Sequence, residues 1–175
     1  MKGLAGVRRA ALCGVFVLSI MTAGSVPAES QVLLVCNAPG RSNCPKSTHF
    51  ASIQRAVNGA RPGDYVLIWP GTYHEKGTAG AGVYINKPGV HIRGMDRNKV
   101  IVDGTNTGAG QACTADPAFQ DLSGRNGIEV FKADGVTIDN LTVCNFMSGS
   151  QGGGNQIWWN GGDGSGTIEI GRAHV

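Results

Sequence analysis

Gly82-Val83-Tyr84-Ile85-Asn86-Lys87-Pro88-Gly89-Val90-His91-Ile92 returns as Gly127-Ile128-Glu129-Val130-Phe131-Lys132-Ala133-Asp134-Gly135-Val136-Thr137-Ile138. In each copy a strand with apolar residues at alternate positions meets a glycine turn, then gives way to a second alternating strand. A third apolar strand follows each time, at 100–102 and 141–143, and Asn155-Gln156-Ile157-Trp158-Trp159 begins a further copy. The unit is about 22 residues, with 104–125 inserted between the two complete copies. Three short strands per unit with no helix between them predict an all-β solenoid of parallel strands. A β-sandwich, the alternative, needs hairpin turns every 8–12 residues or so with short loops.

Upstream of the repeats the period changes. Phe50, Ile53, Ala56 and Val57 fall on one face of a short helix over 50–58, with Ser47 or Thr48 to cap its start and Gly59 to end it. The helix is expected to cap the open apolar core of the first rung. Pro62-Gly63-Asp64 is a turn, and Tyr65-Val66-Leu67-Ile68-Trp69 reads as a buried strand closed by Pro70-Gly71. Residues 29–48 read as a polar lead.

Residues 1–28 read as a secretory signal: Lys2, Arg8 and Arg9, then an apolar stretch from Ala10 to Ala23, then the small-residue site Val26-Pro27-Ala28. That stretch is shorter than the ~20 residues needed to span a bilayer core. Cys13 lacks the preceding small residue of a lipoprotein site. The expected destination is extracytoplasmic, with no membrane attachment after cleavage. At the other end, Glu169-Ile170-Gly171-Arg172-Ala173-His174-Val175 back-translates to a string resembling a common sequencing adapter. The expectation is that 169–175 is an artefact, that His174 has no role, and that the chain is an N-terminal fragment cut within a repeat after about three rungs.

The formal charge of +3 shrinks once these ends are set aside. Without Lys2, Arg8, Arg9, Arg172 and Glu169, 11 basic residues face 11 acidic ones, so a nucleic-acid partner has no electrostatic basis. Only 15% of residues are charged, against a highly charged disordered chain, and the 28 glycines show no collagen period. Four cysteines remain after export: Cys36, Cys44, Cys113 and Cys144. An even number in an exported chain, with no CxxC or HxH pair, favours disulfides over metal. Three connectivities are open; Cys36–Cys44 with Cys113–Cys144 is favoured, the second pinning the long insert to the body.

Phe50-Ala51-Ser52-Ile53-Gln54-Arg55-Ala56-Val57, followed by Pro62-Gly63-Asp64 and Pro70-Gly71-Thr72-Tyr73, resembles the opening of right-handed parallel β-helix proteins of the pectin-lyase-like superfamily. Gly127-Ile128-Glu129-Val130 and Asp134-Gly135-Val136-Thr137-Ile138-Asp139-Asn140 resemble its rungs. The resemblance covers residues 46–168 and implies a right-handed parallel β-helix with a cap helix. It also implies action on or binding of extracellular polysaccharide, as a lyase, hydrolase or esterase. The same superfamily includes non-catalytic members, so a secreted scaffold or binding protein is the alternative, and a non-functional fragment a third reading. Fold does not choose among them. A lyase would imply calcium as cofactor and a basic residue, with no position here to carry either. The catalytic residues are therefore unassigned.

Among candidate residues, His74-Glu75 is the one adjacent His–carboxylate pair, expected to be ordinary outward-facing polar residues of a strand. Asp96, Asp103, Asp134 and Asp139 are weighed as acid–base or calcium groups and read as turn residues. Asn140 at a rung corner is read as a structural amide. Gly152–Gly154 and the 161–166 run lack the Lys-Ser/Thr of a phosphate loop and are read as turns, with Asp163 a remote calcium ligand. Superposing Val83, Ile128 and Ile157 as inward residues makes Tyr84, Glu129 and Trp158 an outward column, with Asn86, Phe131 and Asn160 the next. Tyr84, Glu129, Phe131 and Trp158 are therefore the candidate sugar-binding residues, with a polysaccharide as the expected partner.

Overall fold

The computed structural model describes residues 29–37, 44–47, 50–78, 80–106, 110–150 and 152–161. Residues 1–28, read above as a secretory signal, Asp163 and residues 169–175 lie outside the described residues. Among the described residues the fold is mostly β, with parallel sheets and one α-helix.

Ten strands are described: β1 (Val32–Val35), β2 (Tyr65–Ile68), β3 (Gly71–Tyr73), β4 (Ala81–Ile85), β5 (His91–Gly94), β6 (Val100–Asp103), β7 (Asn126–Phe131), β8 (Thr137–Asp139), β9 (Thr142–Cys144) and β10 (Ile157–Asn160). They form three sheets, in the orders β1-β2-β5-β8, β3-β6-β9 and β10-β7-β4. Every ladder between named strands is parallel. From β2 onward, consecutive strands enter the first, second and third sheet in turn, then repeat that order twice.

β1 corrects the reading of 29–48 as a polar lead. Val32 to Val35 pair with Tyr65 to Ile68, and Val35 and Cys36 are fully buried. Four apolar residues at the front of a polar stretch are too few for periodicity to detect; the neighbouring strand supplies the hydrogen bonds that order them.

The helix α1 (Ile53–Gly59) starts later than the spacing predicts. Its N-cap is Ser52, not Ser47 or Thr48, and Ser52 accepts from the Arg55 N–H at 3.3 Å. Phe50 is not helical: it bridges to Val35, and its N–H donates to the Leu34 carbonyl. Ile53, Ala56 and Val57 are buried, as the spacing predicts.

Val66, Ile68, Val83, Ile85, Ile92, Val100, Val102, Ile128 and Val130 are fully buried and belong to one apolar cluster with the helix residues. Alternation along each strand sends these β-branched side chains to one face. Phe146 lies in the same cluster and packs where two strands come close: a Cβ on Gly127 would meet Phe146 at 2.8 Å and Val143 at 2.5 Å. That approach explains a glycine opening the second repeat copy.

Residues 104–125 leave the sheets after β6 and include a 3-10 turn at Pro117–Phe119. Asp103 holds the departure point. Fully buried, its carboxylate accepts from the Thr105 N–H at 3.0 Å and the Cys113 N–H at 2.9 Å. The bond to Thr105, two residues on, is the Asx turn expected of this position, and the bond to Cys113 adds a long-range anchor to it. The four cysteines pair Cys36–Cys44 and Cys113–Cys144. The second bond, helped by the Asn145 amide donating to the Thr114 carbonyl at 2.8 Å, fastens the insert to the end of β9.

Candidate functional site

The third sheet brings the candidate residues together. Val83 is in register with Ile128, and Ile128 with Ile157. The next position aligns Tyr84, Glu129 and Trp158, and Phe131 pairs with Asn160. Trp158 is 40% exposed, and Tyr84 and Phe131 are half-buried. The Tyr84 and Phe131 rings stack diagonally, with centroids 5.8 Å apart, and the Lys132 ammonium lies 5.3 Å from the Phe131 centroid. Asn86 is exposed just beyond β4.

Glu129 departs from the expected outward column, because only 7% of it is exposed. Tyr84 of β4 and Trp158 of β10 flank it in register, neighbours that lie far away along the chain. Its environment is ordered by asparagines. The Asn126 side-chain Oδ1 accepts from the Asn155 backbone and side-chain N–H groups, at 3.3 and 3.0 Å. This turns the Asn126 amide nitrogen toward Glu129, where it donates to Oε2 at 3.2 Å. The phenol of Tyr84 is held above its ordinary value, first by desolvation and second by the negative charge of Glu129.

The remaining candidates are scattered. His74 is half-buried, and its Nδ1 lies 2.9 Å from the Thr105 carbonyl, which only accepts, so Nδ1 carries the hydrogen. Glu75 is buried rather than outward-facing: it accepts from the Ser52 hydroxyl, the Ile53 N–H and the Gln54 N–H at 3.0, 2.7 and 3.2 Å. The orphan donors of the first helical turn attract it inward. Asp139 pairs with Arg93 at 2.8 Å, and Asp96 accepts from the Asn98 N–H at 2.9 Å. Asp134 lies in the turn whose carbonyl accepts from the Gly89 N–H. Asn140 takes a left-handed backbone, φ 53°, and donates to the Gly94 carbonyl at 2.7 Å. Gly152, Gly153 and Gly154 all have positive φ. Among the described residues, no three His, Cys, Asp or Glu side chains gather as a metal cluster.

Sequence reasoning missed a pair of adjoining clefts beside the insert. One, of about 470 Å³, is lined by Ala115, Pro117, Gln120, Leu122, Asn145 and Met147. The other, of about 410 Å³, shares Ala115, Asn145 and Met147 and reaches the Cys113–Cys144 bond. Leu122 and Met147 stay 66% and 42% exposed at this lip. No periodic signal marks them, because the cleft exists only where the insert folds back on β9.

Among the described residues, no helix is long and apolar enough to cross a membrane. No family model matches the chain, and neither a curated protein nor a solved structure matches it.

Proposed function

We propose that the chain is an exported right-handed parallel β-helix whose third sheet binds extracellular polysaccharide. Support for the winding is the strand order: consecutive strands visit three parallel sheets cyclically, and parallel crossovers are right-handed in nearly all cases. Support for export is the signal-like 1–28 segment together with two disulfides, bonds that persist in oxidising compartments.

The observation that carries the binding reading is Tyr84 and Trp158 in one registered row, with Phe131 stacked beside Tyr84. Sugar rings present C–H faces that pack on aromatics, while their hydroxyls donate hydrogen bonds to carbonyl oxygens and accept them from amide N–H groups. The rungs beneath hold these groups, so little side-chain freedom is lost on binding. Binding is the function proposed; no residue is assigned a catalytic role.

Affinity electrophoresis through gels containing soluble polysaccharides tests the reading. At least one polysaccharide is expected to retard the protein, and Trp158→Ala is expected to weaken that retardation about tenfold, the scale of a lost aromatic contact. Equal retardation of the two proteins would count against this face.

A further inference from the structure

Tyr84 and Trp158 hold the same register position on β4 and β10, and β7 lies between those two strands. Neighbouring strands are roughly 4.8 Å apart, so the two aromatic positions stand roughly 10 Å apart, measured across the strands. The position between them belongs to Glu129, which is buried and offers no aromatic surface. The row is therefore an aromatic, a gap and an aromatic. Its spacing is fixed by the parallel ladders rather than by flexible side chains. Phe131 broadens the first contact, its ring stacked beside Tyr84.

We propose that this face selects β-1,4-linked glucans and mannans by backbone shape, with ring i of the glycan on Tyr84 and ring i+2 on Trp158. The proposal rests on the reading of the third sheet as a polysaccharide surface, and adds the linkage and the length that the surface takes. Hexoses joined through equatorial bonds at C1 and C4 extend as a two-fold ribbon, each ring advancing by about one inter-strand spacing. Alternate rings are turned over, so rings i and i+2 show the same face and the ring between them needs no aromatic. An axial bond at C1, as in α-1,4-glucans, curls the chain and carries the third ring off the line. Three rings are then the shortest oligomer that touches both aromatics. Once the first ring is seated the second contact is intramolecular, so affinity rises in a step between disaccharide and trisaccharide.

The test is affinity electrophoresis of the full chain through gels containing soluble glucomannan or soluble starch, with oligosaccharides as competitors. Glucomannan is expected to retard wild type more strongly than starch. Cellotriose or mannotriose is expected to compete at about tenfold lower concentration than its disaccharide, the scale of one added aromatic contact. The tetra- to hexasaccharides should add little more, and the malto series should show no step. In Trp158→Ala, which alters an exposed side chain, disaccharide and trisaccharide should compete alike. Starch retarding as strongly as glucomannan, trisaccharides that fail to compete, a smooth rise with length, an equal step in the malto series, or a step that survives Trp158→Ala would overturn the two-point assignment while leaving the binding surface intact. Absence of retardation by every polymer, or retardation insensitive to Trp158→Ala, would overturn the surface itself. The wild-type oligosaccharide series decides the matter even where Trp158→Ala fails to fold.

Discussion

The Glu75 carboxylate takes two backbone N–H groups and the Ser52 hydroxyl at the start of α1, all from a position buried under the helix. Glu75→Ala is expected to destabilise the protein by about 2–3 kcal/mol, since buried donors lose a charged acceptor. Urea denaturation with an unchanged m-value checks this. Asp121 offers a pH effect. The Ser123 hydroxyl, its largest influence, holds the Asp121 carboxyl below the ordinary range, with the Ser123 N–H and Arg125 adding to it. A depressed folded-state value means its stabilisation is present above the ordinary carboxylate range and is lost as pH falls through the depressed value. Asp121→Asn is expected to flatten the acid side of a stability–pH profile; an unaltered acid limb would remove this residue from the account. The buried Tyr73 phenol, pushed well up by desolvation, donates to the Trp69 carbonyl at 2.6 Å. It therefore disfavours ionisation in the folded state at alkaline pH.

Elements here owe their order to neighbours far along the chain. The three-residue strand β8 has one named neighbour, β5, some 46 residues upstream. Along that ladder the stacked Tyr65 and His91 rings lie 4.6 Å apart, and His91 Nδ1 is 2.8 Å from the Thr137 hydroxyl. The insert has no such ladder among the described residues and hangs from Asp103 and from the Cys113–Cys144 bond. Replacing both of these cysteines by serine is expected to cost about 3–4 kcal/mol on the loop-closure estimate for a separation of 31 residues. The Cys36–Cys44 loop, with a separation of 8, should contribute less, about 2–3 kcal/mol. Thermal melts of the two double-serine variants rank them. Limited proteolysis should cut the Cys113/Cys144 variant within 104–125 first; equal resistance to wild type would show that the insert is held by other contacts.

At the scale of the whole molecule, the core is one cluster running from Val35 through Phe146, drawn from all three sheets and α1. Its contacts are mostly non-local: Val83 aligns with Ile128, and Ile128 with Ile157, across separations that must close before any burial is gained. Refolding with disulfides intact is therefore expected to take milliseconds to seconds or longer, as in other folds rich in non-local pairing. Stopped-flow tryptophan fluorescence measures this, and a microsecond phase carrying the full amplitude would contradict it. The same arrangement governs the binding face, because Tyr84, Glu129 and Trp158 become one row only when three separate stretches of chain are in register.

Much of this was legible in the chain by itself. The internal repeat aligned Val83 with Ile128 and Ile157 before any coordinates, because alternation fixes which side chains share a face and a one-residue slip would expose the core. The buried face of α1 was legible for the same reason, its period being local. What the tertiary structure alone decided was burial and capping between remote segments. Glu129 reads as outward on its own strand and is buried in the sheet between β4 and β10; Glu75 reads as solvated and is drawn inward by a helix more than twenty residues earlier. β1 and the clefts beside the insert likewise exist only through partners elsewhere in the chain. Periodicity records which face a residue takes, whereas solvent exclusion depends on the neighbours that the fold brings to that face.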